Sequence, residues 1–288
     1  RICTEPKGRT KGMPVLLIPN TSKEQAIAVA CRVTALLREY GVSILVPGTQ
    51  LAALIPGTEP KPEEEAYALA DQVITVGGDG TLLRSGHACI RHHKPVLGVN
   101  LGRTGFLATC EVEELPQKLR RLAQGDYTVE ERGLLQADLA EANWQAQAIN
   151  DLVIFGESRA HPMDYHVYCD GAFVSHYRSD GLILATPTGS TAYSFSVLDA
   201  AAQVMVLTPV CAHNLHTAPL VFAADRRLEI VADAENRGGS YVCADSGPHC
   251  ALCPGQRVTV TAAPDRLRLI AFQDSEQFCA IENKLMRR

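Results

Sequence analysis

The chain has 288 residues, 46% hydrophobic and 20% charged, which is long enough for two hydrophobic cores and ordinary for a globular protein. Its formal net charge of −5 and pI near 6.0 exclude a general basic footprint for nucleic acid, and no apolar run approaches the roughly 20 residues of a membrane-spanning helix. An anionic ligand must then be met by local donors or by Mg²⁺.

Residues 1–12 carry Lys7, Arg9 and Lys11 without the apolar core of a signal peptide, and read as a flexible tail of a cytoplasmic rather than a secreted protein. The ten cysteines are scattered, with nothing else to suggest a small oxidised scaffold, so they read as reduced. Cys250-Ala-Leu-Cys253, with His249 beside it and Cys243 upstream, resembles a metal knuckle. No second pair stands at zinc-site spacing and Pro254-Gly255 reads as a turn, so packing or turn cysteines are the better reading.

In chain order, the apolar run Pro14–Ile18 ends at Pro19-Asn20 and fits a buried parallel strand. A helix follows: Ser22 and Gln25 have capping-box spacing, and Ile27, Ala30, Val33, Leu36 and Leu37 keep one apolar face until Gly41. Val42–Val46 reads as a second strand. Pro56, Pro60 and Pro62, with Glu63, Glu64 and Glu65, mark a solvated connection whose acid run is a surface face or a helix start.

Val73–Val76 is the third strand, and it delivers the turn Gly77-Gly78-Asp79-Gly80-Thr81. Glycine lets backbone approach phosphate oxygens closely, successive N–H groups can form an anion-binding concavity, and Thr81 is placed to cap a helix whose positive end faces the same anion. A carboxylate beside phosphates repels them unless it holds a metal or accepts a proton from an attacking hydroxyl. Asp79 therefore points to phosphoryl transfer rather than binding alone. A helix over about Thr81–Ile90 and a strand Pro95–Val99 lead to a second polar glycine turn, Asn100-Leu-Gly102-Arg-Thr-Gly105-Phe106-Leu107, on the same sheet edge. A helical pattern over Val112–Leu122 closes this unit, and Gly125-Asp126 reads as a boundary.

Beyond it the texture becomes β-rich: Tyr127–Glu130, Gln145–Ile149, Asp164–Cys169, Leu182–Leu184 and Arg227–Val231 alternate as strands. Residues 275–285 return to helical spacing through Phe278, Ile281 and Leu285. The expected architecture is α/β plus β: a Rossmann-like α/β domain at 13–125, a β-rich, sandwich-like domain at 126–274, and a helix at 275–288 returning to the first. Two polar clusters interrupt the β pattern. Asn150-Asp151 either ends a strand or offers an amide and a carboxylate to ligand hydroxyls. Arg178-Ser-Asp180-Gly181 with Thr186-Pro-Thr188-Gly189-Ser190-Thr191-Ala192-Tyr193-Ser194 reads as a polar cradle or as a Ser/Thr-rich capped loop.

Four of these blocks, in order, resemble the NAD kinases: Gly77–Thr81, Asn100–Leu107, Asn150-Asp151 and Asp180–Ser194. Val206-Leu-Thr-Pro209 with His213 and Pro219–Val221 adds a weaker fifth. The resemblance implies transfer of the γ-phosphoryl of ATP, with a divalent metal such as Mg²⁺, onto the 2′-hydroxyl of the adenosine ribose of NAD. It implies that Asp79 is the general base, and that Gly77, Gly78, Gly80 and Thr81 hold phosphates. It further implies that Asn150, Asp151, His161, Arg178, Asp180, Thr191, Ala192, Tyr193, Ser194 and Ser196 contact the dinucleotide, with the Tyr193 face against a flat heterocycle. Neither a nucleic acid nor a membrane is an implied partner, and a homodimer or homotetramer is. The chain departs from the family at Asp151, one methylene shorter than the usual Glu, at Val197-Leu198-Asp199 in place of Ala-Gly-Gly, and at Ala218 in place of a common Arg. The glycine turn alone also fits a lipid kinase of the diacylglycerol-kinase type, and the departures fit a non-catalytic dinucleotide sensor.

Overall fold

The computed structural model describes residues 13–102, 105–158, 161–194, 199, 201–213 and 217–272. The expected tail at 1–12 and helix at 275–288 lie outside them. The chain divides into two compact units, one ending at Glu131 and resuming at Leu267, the other spanning Arg132–Arg266.

In the first unit the apolar runs become strands because each is short, β-branched and bounded by turn residues. The elements are β1 (Val15–Pro19), α1 (Glu24–Glu39), β2 (Ile44–Pro47), α2 (Thr49–Leu54), β3 (Glu59–Lys61), α3 (Glu63–Leu69), β4 (Gln72–Gly77), α4 (Asp79–Arg91), β5 (Val96–Asn100), β6 (Cys110–Glu111), α5 (Leu115–Ala123) and the start of β7 (Thr128–Leu139). The strands β5-β4-β1-β2-β3 pair in parallel in that order. From β1 the chain winds first toward β3 and then returns to the other side for β4, so the order reverses between β1 and β4. Such a switch point opens a crevice at the carboxyl ends of the strands, where open α/β sheets take ligands. The α1 face made by Ala26, Val29, Ala30, Val33 and Leu37 buries against Leu17, Ile44, Ile74 and Val76.

Two local expectations fail here. The Ser22–Gln25 capping box does not form: Lys23 occupies the N-cap without a side-chain bond, and the Ser22 N–H and hydroxyl both donate to Asn20 Oδ1, at 3.2 and 2.7 Å. The box would need the Ser22 N–H as donor to Gln25 and the Ser22 Oγ as acceptor; the Asn20 side-chain carbonyl takes the N–H and turns the hydroxyl toward itself. Pro56–Pro62 is not wholly a connection either, because Glu59–Lys61 adds a third parallel strand beside β2. It lies at the sheet edge, where Pro60 sacrifices no interior ladder bond.

In the second unit the elements are the remainder of β7, β8 (Trp144–Ala148), β9 (Asp151–Gly156), β10 (Met163–Cys169), β11 (Ala172–Ser179), β12 (Gly181–Ala185), β13 (Val204–Val210), β14 (Leu220–Ala223), β15 (Leu228–Ala232), β16 (Ser240–Ala244), β17 (Cys250–Leu252) and most of β18 (Arg257–Ala271). One sheet runs β11-β10-β15-β18 with β7 and β8 paired to it; the other runs β14-β13-β12-β9-β16-β17, antiparallel throughout. Tyr165, Val167, Leu228, Ile230 and Val258 from one sheet bury with Leu152, Ile154, Leu182, Leu184 and Val242 from the other in a single core. This is a sandwich. Among the described residues no helix is long and apolar enough to cross a membrane.

Candidate functional site

The glycine turn in the first unit sits where β4 ends and α4 begins. Gly77 lies opposite Asn100 in the β4–β5 register, so the two glycine turns leave the sheet side by side, and the Leu101 N–H donates to the Gly77 carbonyl. A Cβ on Gly77 would stand 2.2 Å from Thr81 Oγ1, so this position admits no side chain while Thr81 stays where it is. Thr81 is not the cap expected of it. Gly78 takes the N-cap in extended backbone, and the helix starts two residues early, with Thr81 buried in its first turn. Its N–H is already bonded to the Gly78 carbonyl at 2.9 Å. Gly78 and Gly80 each have open space where a Cβ would stand, which leaves room for a ligand to approach the backbone.

Asp79 opens α4, and its carboxylate is gripped by backbone. Oδ2 accepts the Phe106 N–H at 2.8 Å; Oδ1 accepts the Leu107 and Ala108 N–H groups at 3.1 and 2.9 Å. The second glycine turn therefore orients the carboxylate supplied by the first.

In the second unit an aspartate is held in the same manner. Asp245, at the end of β16 with φ +47°, accepts the N–H groups of Ile149, Asn150 and Asp151; the latter two lie 2.7 and 3.2 Å from Oδ1. Asn150 and Asp151 thus stand at the start of β9 with their backbone fixed from β16. The other side is closed by the loop after β12. The Thr186 N–H donates to the Asn150 carbonyl, the Thr186 hydroxyl to the Ile149 carbonyl, and Gly189 lies so close that a Cβ there would be 2.0 Å from Asn150 O.

Asp151 is 8% exposed, and its pKa is pushed up to about 6, by burial first and then by the Asp245 charge. An aspartate with a raised folded value binds more protons in the native than in the unfolded state between its ordinary 3.8 and about 6, so its contribution to stability is full below 3.8 and is lost as pH rises through 6. Asp151→Asn is expected to raise the thermal midpoint at pH 7.5 by about 6 °C, corresponding to about 3 kcal/mol, with the gain vanishing near pH 4. Thermal melts of both proteins at the two pH values check this; an equal gain at both would mean that the charge is not its source.

The Ser/Thr-rich cluster divides. Ser190 and Thr191 donate to the carbonyls three residues back, at 2.6 and 3.4 Å, and Ser194 is buried with its hydroxyl 2.9 Å from that of Thr208. These hydroxyls are engaged within the fold. Ala192 is exposed and Tyr193 is 60% exposed, so the outward surface of the cradle is aromatic. Ser196 lies outside the described residues.

His161 and Arg178 line a cleft of about 690 Å³ with Asp164, His166, His176 and Asp233. The His166 and His176 rings stack at 4.9 Å, and their Nε2 atoms meet Asp233 at 2.7 Å and Asp164 at 2.8 Å. The Glu235 N–H, then His166, hold the Asp233 carboxyl below its ordinary value. Arg178 is exposed and 3.6 Å from Asp164. Asp180 is exposed at the β11–β12 corner, where its N–H donates to the Val210 carbonyl. Sequence reading missed Asp245, whose one local signal is an Asp-Ser-Gly turn after a strand. It also gave no part to His166, His176 or Asp233.

A family model described as the ATP-NAD kinase N-terminal domain matches residues 15–127, and one described as the ATP-NAD kinase C-terminal domain matches residues 149–272. The NAD kinase of Pseudomonas putida (strain F1) is 34% identical over 278 residues, 93% of this chain and 94% of that protein. That of Pseudomonas syringae pv. syringae is 33% identical with the same coverage. Among solved structures, yeast NADH kinase complexed with NADH aligns with a TM-score of 0.85 at 21% identity, over 99% of this chain and 93% of that one. An NAD kinase from Archaeoglobus fulgidus in complex with ATP aligns at 0.73 and 21%, over 94% and 99%. At that identity these two structures speak for the fold.

Proposed function

This chain belongs to the ATP-NAD kinase family and is an NAD kinase, and from that premise we propose how its residues divide the work. The reaction moves the γ-phosphoryl group of ATP to the 2′-hydroxyl of the adenosine ribose of NAD, giving NADP. The match to both kinase domains removes the reason for a lipid-kinase reading.

Asp79 is the general base. The 2′-O–H bond breaks and its proton passes to the carboxylate, the ribose oxygen bonds the γ-phosphorus, and the bond from that phosphorus to the bridging oxygen breaks, leaving ADP with the electron pair. The observation that carries this role is the carboxylate at the head of α4, fixed by three amides beside two glycines with open space over their backbone. The N–H groups of Gly78 and Gly80 and the first turn of α4, which contains Thr81, face phosphate oxygens with the positive end of the helix; Gly77 allows the turn.

Asn150 and Asp151 meet ribose hydroxyls, and the exposed Tyr193, with Ala192 and Thr191 behind it, offers its face to a flat ring. His161, Arg178 and Asp180 supply further polar contacts to the dinucleotide, with Ser196 as another. Ser194 supports the loop from within, through Thr208.

Among the described residues no group of three or more His, Cys, Asp or Glu side chains could hold a metal. The described residues thus form no cation cage, and in this reading Mg²⁺ comes with ATP as part of the substrate and neutralises phosphate charge there. The enzyme is cytoplasmic and self-associates as a homodimer or homotetramer. NADP formation is expected from NAD with ATP, dependent on Mg²⁺, in an assay that varies the donor between ATP and polyphosphate and the acceptor between NAD and NADH. Full turnover with excess chelator would overturn the MgATP reading.

A further inference from the structure

We propose that Asn100 is a positioning residue for the phosphoryl-transfer step, acting on Asp79 through the backbone of the second glycine turn. The inference rests on the general-base role given to Asp79.

A carboxylate has about four lone-pair positions. In Asp79 two of them, both on Oδ1, take the Leu107 and Ala108 N–H groups, and a third, on Oδ2, takes that of Phe106. The remaining position on Oδ2 is the one that accepts the ribose proton. The amides select it by filling the other three, and they fix the plane of the carboxyl group so that it faces one way. A base so held needs no search for its orientation when the acceptor hydroxyl arrives.

Those amides are only as well placed as the loop that carries them, and Asn100 braces that loop from inside. It is the last residue of β5 and is 3% exposed. Its Oδ1 accepts the Gly102 N–H at 2.9 Å, and its Nδ2 donates to the Gly102 carbonyl at 3.2 Å and to Glu111 Oε1 at 3.1 Å. One side chain thereby closes the start of the turn and ties it to β6, which runs beside the end of β5. The return of the turn is packed on the same side chain: a Cβ on Gly105 would lie 3.2 Å from Asn100 Cγ and 2.8 Å from the Ala108 carbonyl oxygen. Glu111 thus bonds Asn100, Asn100 packs on Gly105, and Gly105 leads directly into the three amides at 106–108. Those amides end on the reacting carboxylate.

The brace is buried and its hydrogen bonds are spent on Gly102 and Glu111, so its loss should appear in turnover rather than in substrate binding. Asn100→Ala is expected to lower kcat about 10- to 100-fold with KM for NAD and for ATP within about twofold of wild type, because small displacement of a catalytic group is costly. Gly105→Ala, which crowds the same brace, is expected to show the same split and serves if Asn100→Ala fails to fold. In the wild-type protein, amide hydrogen exchange read residue by residue should show Phe106, Leu107 and Ala108 protected, and both variants should lose that protection. Wild-type kcat in a folded variant, or a KM effect without a kcat effect, overturns the proposal. Rapid exchange at the three amides of the wild-type protein also overturns it. If Asp79→Ala retains full turnover, the general-base reading fails by itself, while the exchange data still judge whether Asn100 holds the amides in place.

Discussion

Asp79→Ala is expected to lower turnover by about 10²- to 10⁴-fold, the usual worth of a positioned general base. The substitution removes two things at once: the proton acceptor, and the anchor for the Phe106, Leu107 and Ala108 N–H groups. Three donors left without their carboxylate should also cost a few degrees of thermal midpoint, since hydrogen bonds to a charged group are among the stronger ones. Asp79→Asn separates the two effects in part. Its carbonyl oxygen can keep the Leu107 and Ala108 donors, but its NH₂ group then confronts the Phe106 N–H, donor to donor. Both variants should lose turnover, with the asparagine variant the more stable. Steady-state kinetics beside thermal melts check this, and turnover near wild type in either would end the general-base assignment.

Gly189→Ala is expected to carry the largest stability effect in the second unit. The added methyl would stand 2.0 Å from Asn150 O, 2.4 Å from its carbonyl carbon and 2.5 Å from its Cα, all backbone atoms that no rotamer change can move aside. Overpacking of this kind costs about 1–3 kcal/mol, and the rigid obstacle argues for the upper end. Asn150 cannot retreat, because its N–H is held by Asp245 and its carbonyl by the Thr186 N–H. The protein should either unfold at a lower denaturant concentration or hold Asn150 out of place and lose affinity for NAD. A folded Gly189→Ala protein with unchanged midpoint and unchanged KM for NAD would show that the two loops are not locked together.

Much of the first unit was legible because its signals are local. Five-residue apolar runs between turn residues gave the parallel strands, and a one-sided apolar face gave α1. The failures share one cause, competition that a linear reading does not rank. Asn20 took the Ser22 N–H that a capping box needed and drew the hydroxyl to itself, and Gly78, with no side chain to offer, took the cap from Thr81. The prolines around β3 argued for a connection, yet an edge position makes Pro60 harmless. In the second unit the hydroxyl-rich cluster was legible as a loop, but not which hydroxyls it spends internally. Ser194 turns in because Thr208, fourteen residues on, is there to meet it. The carboxylate partners were the least legible of all. Asp245 reaches residues 94 to 96 positions earlier in the chain, and what it meets there is backbone amide, which has no letter in the sequence.

That last property bears on how this protein can change over generations. Both aspartates, one in each unit, are clasped by three consecutive peptide N–H groups, at 106–108 and at 149–151. Every amino acid except proline supplies such a group. Side chains at 106–108 are therefore free to drift in size and polarity, within the limits set by packing, without loosening the clasp on Asp79, whereas at 149–151 the ribose contacts proposed for Asn150 and Asp151 hold those two side chains to type. A single proline would delete a donor outright. The chemistry is thus entrusted to the part of the polypeptide that mutation alters least.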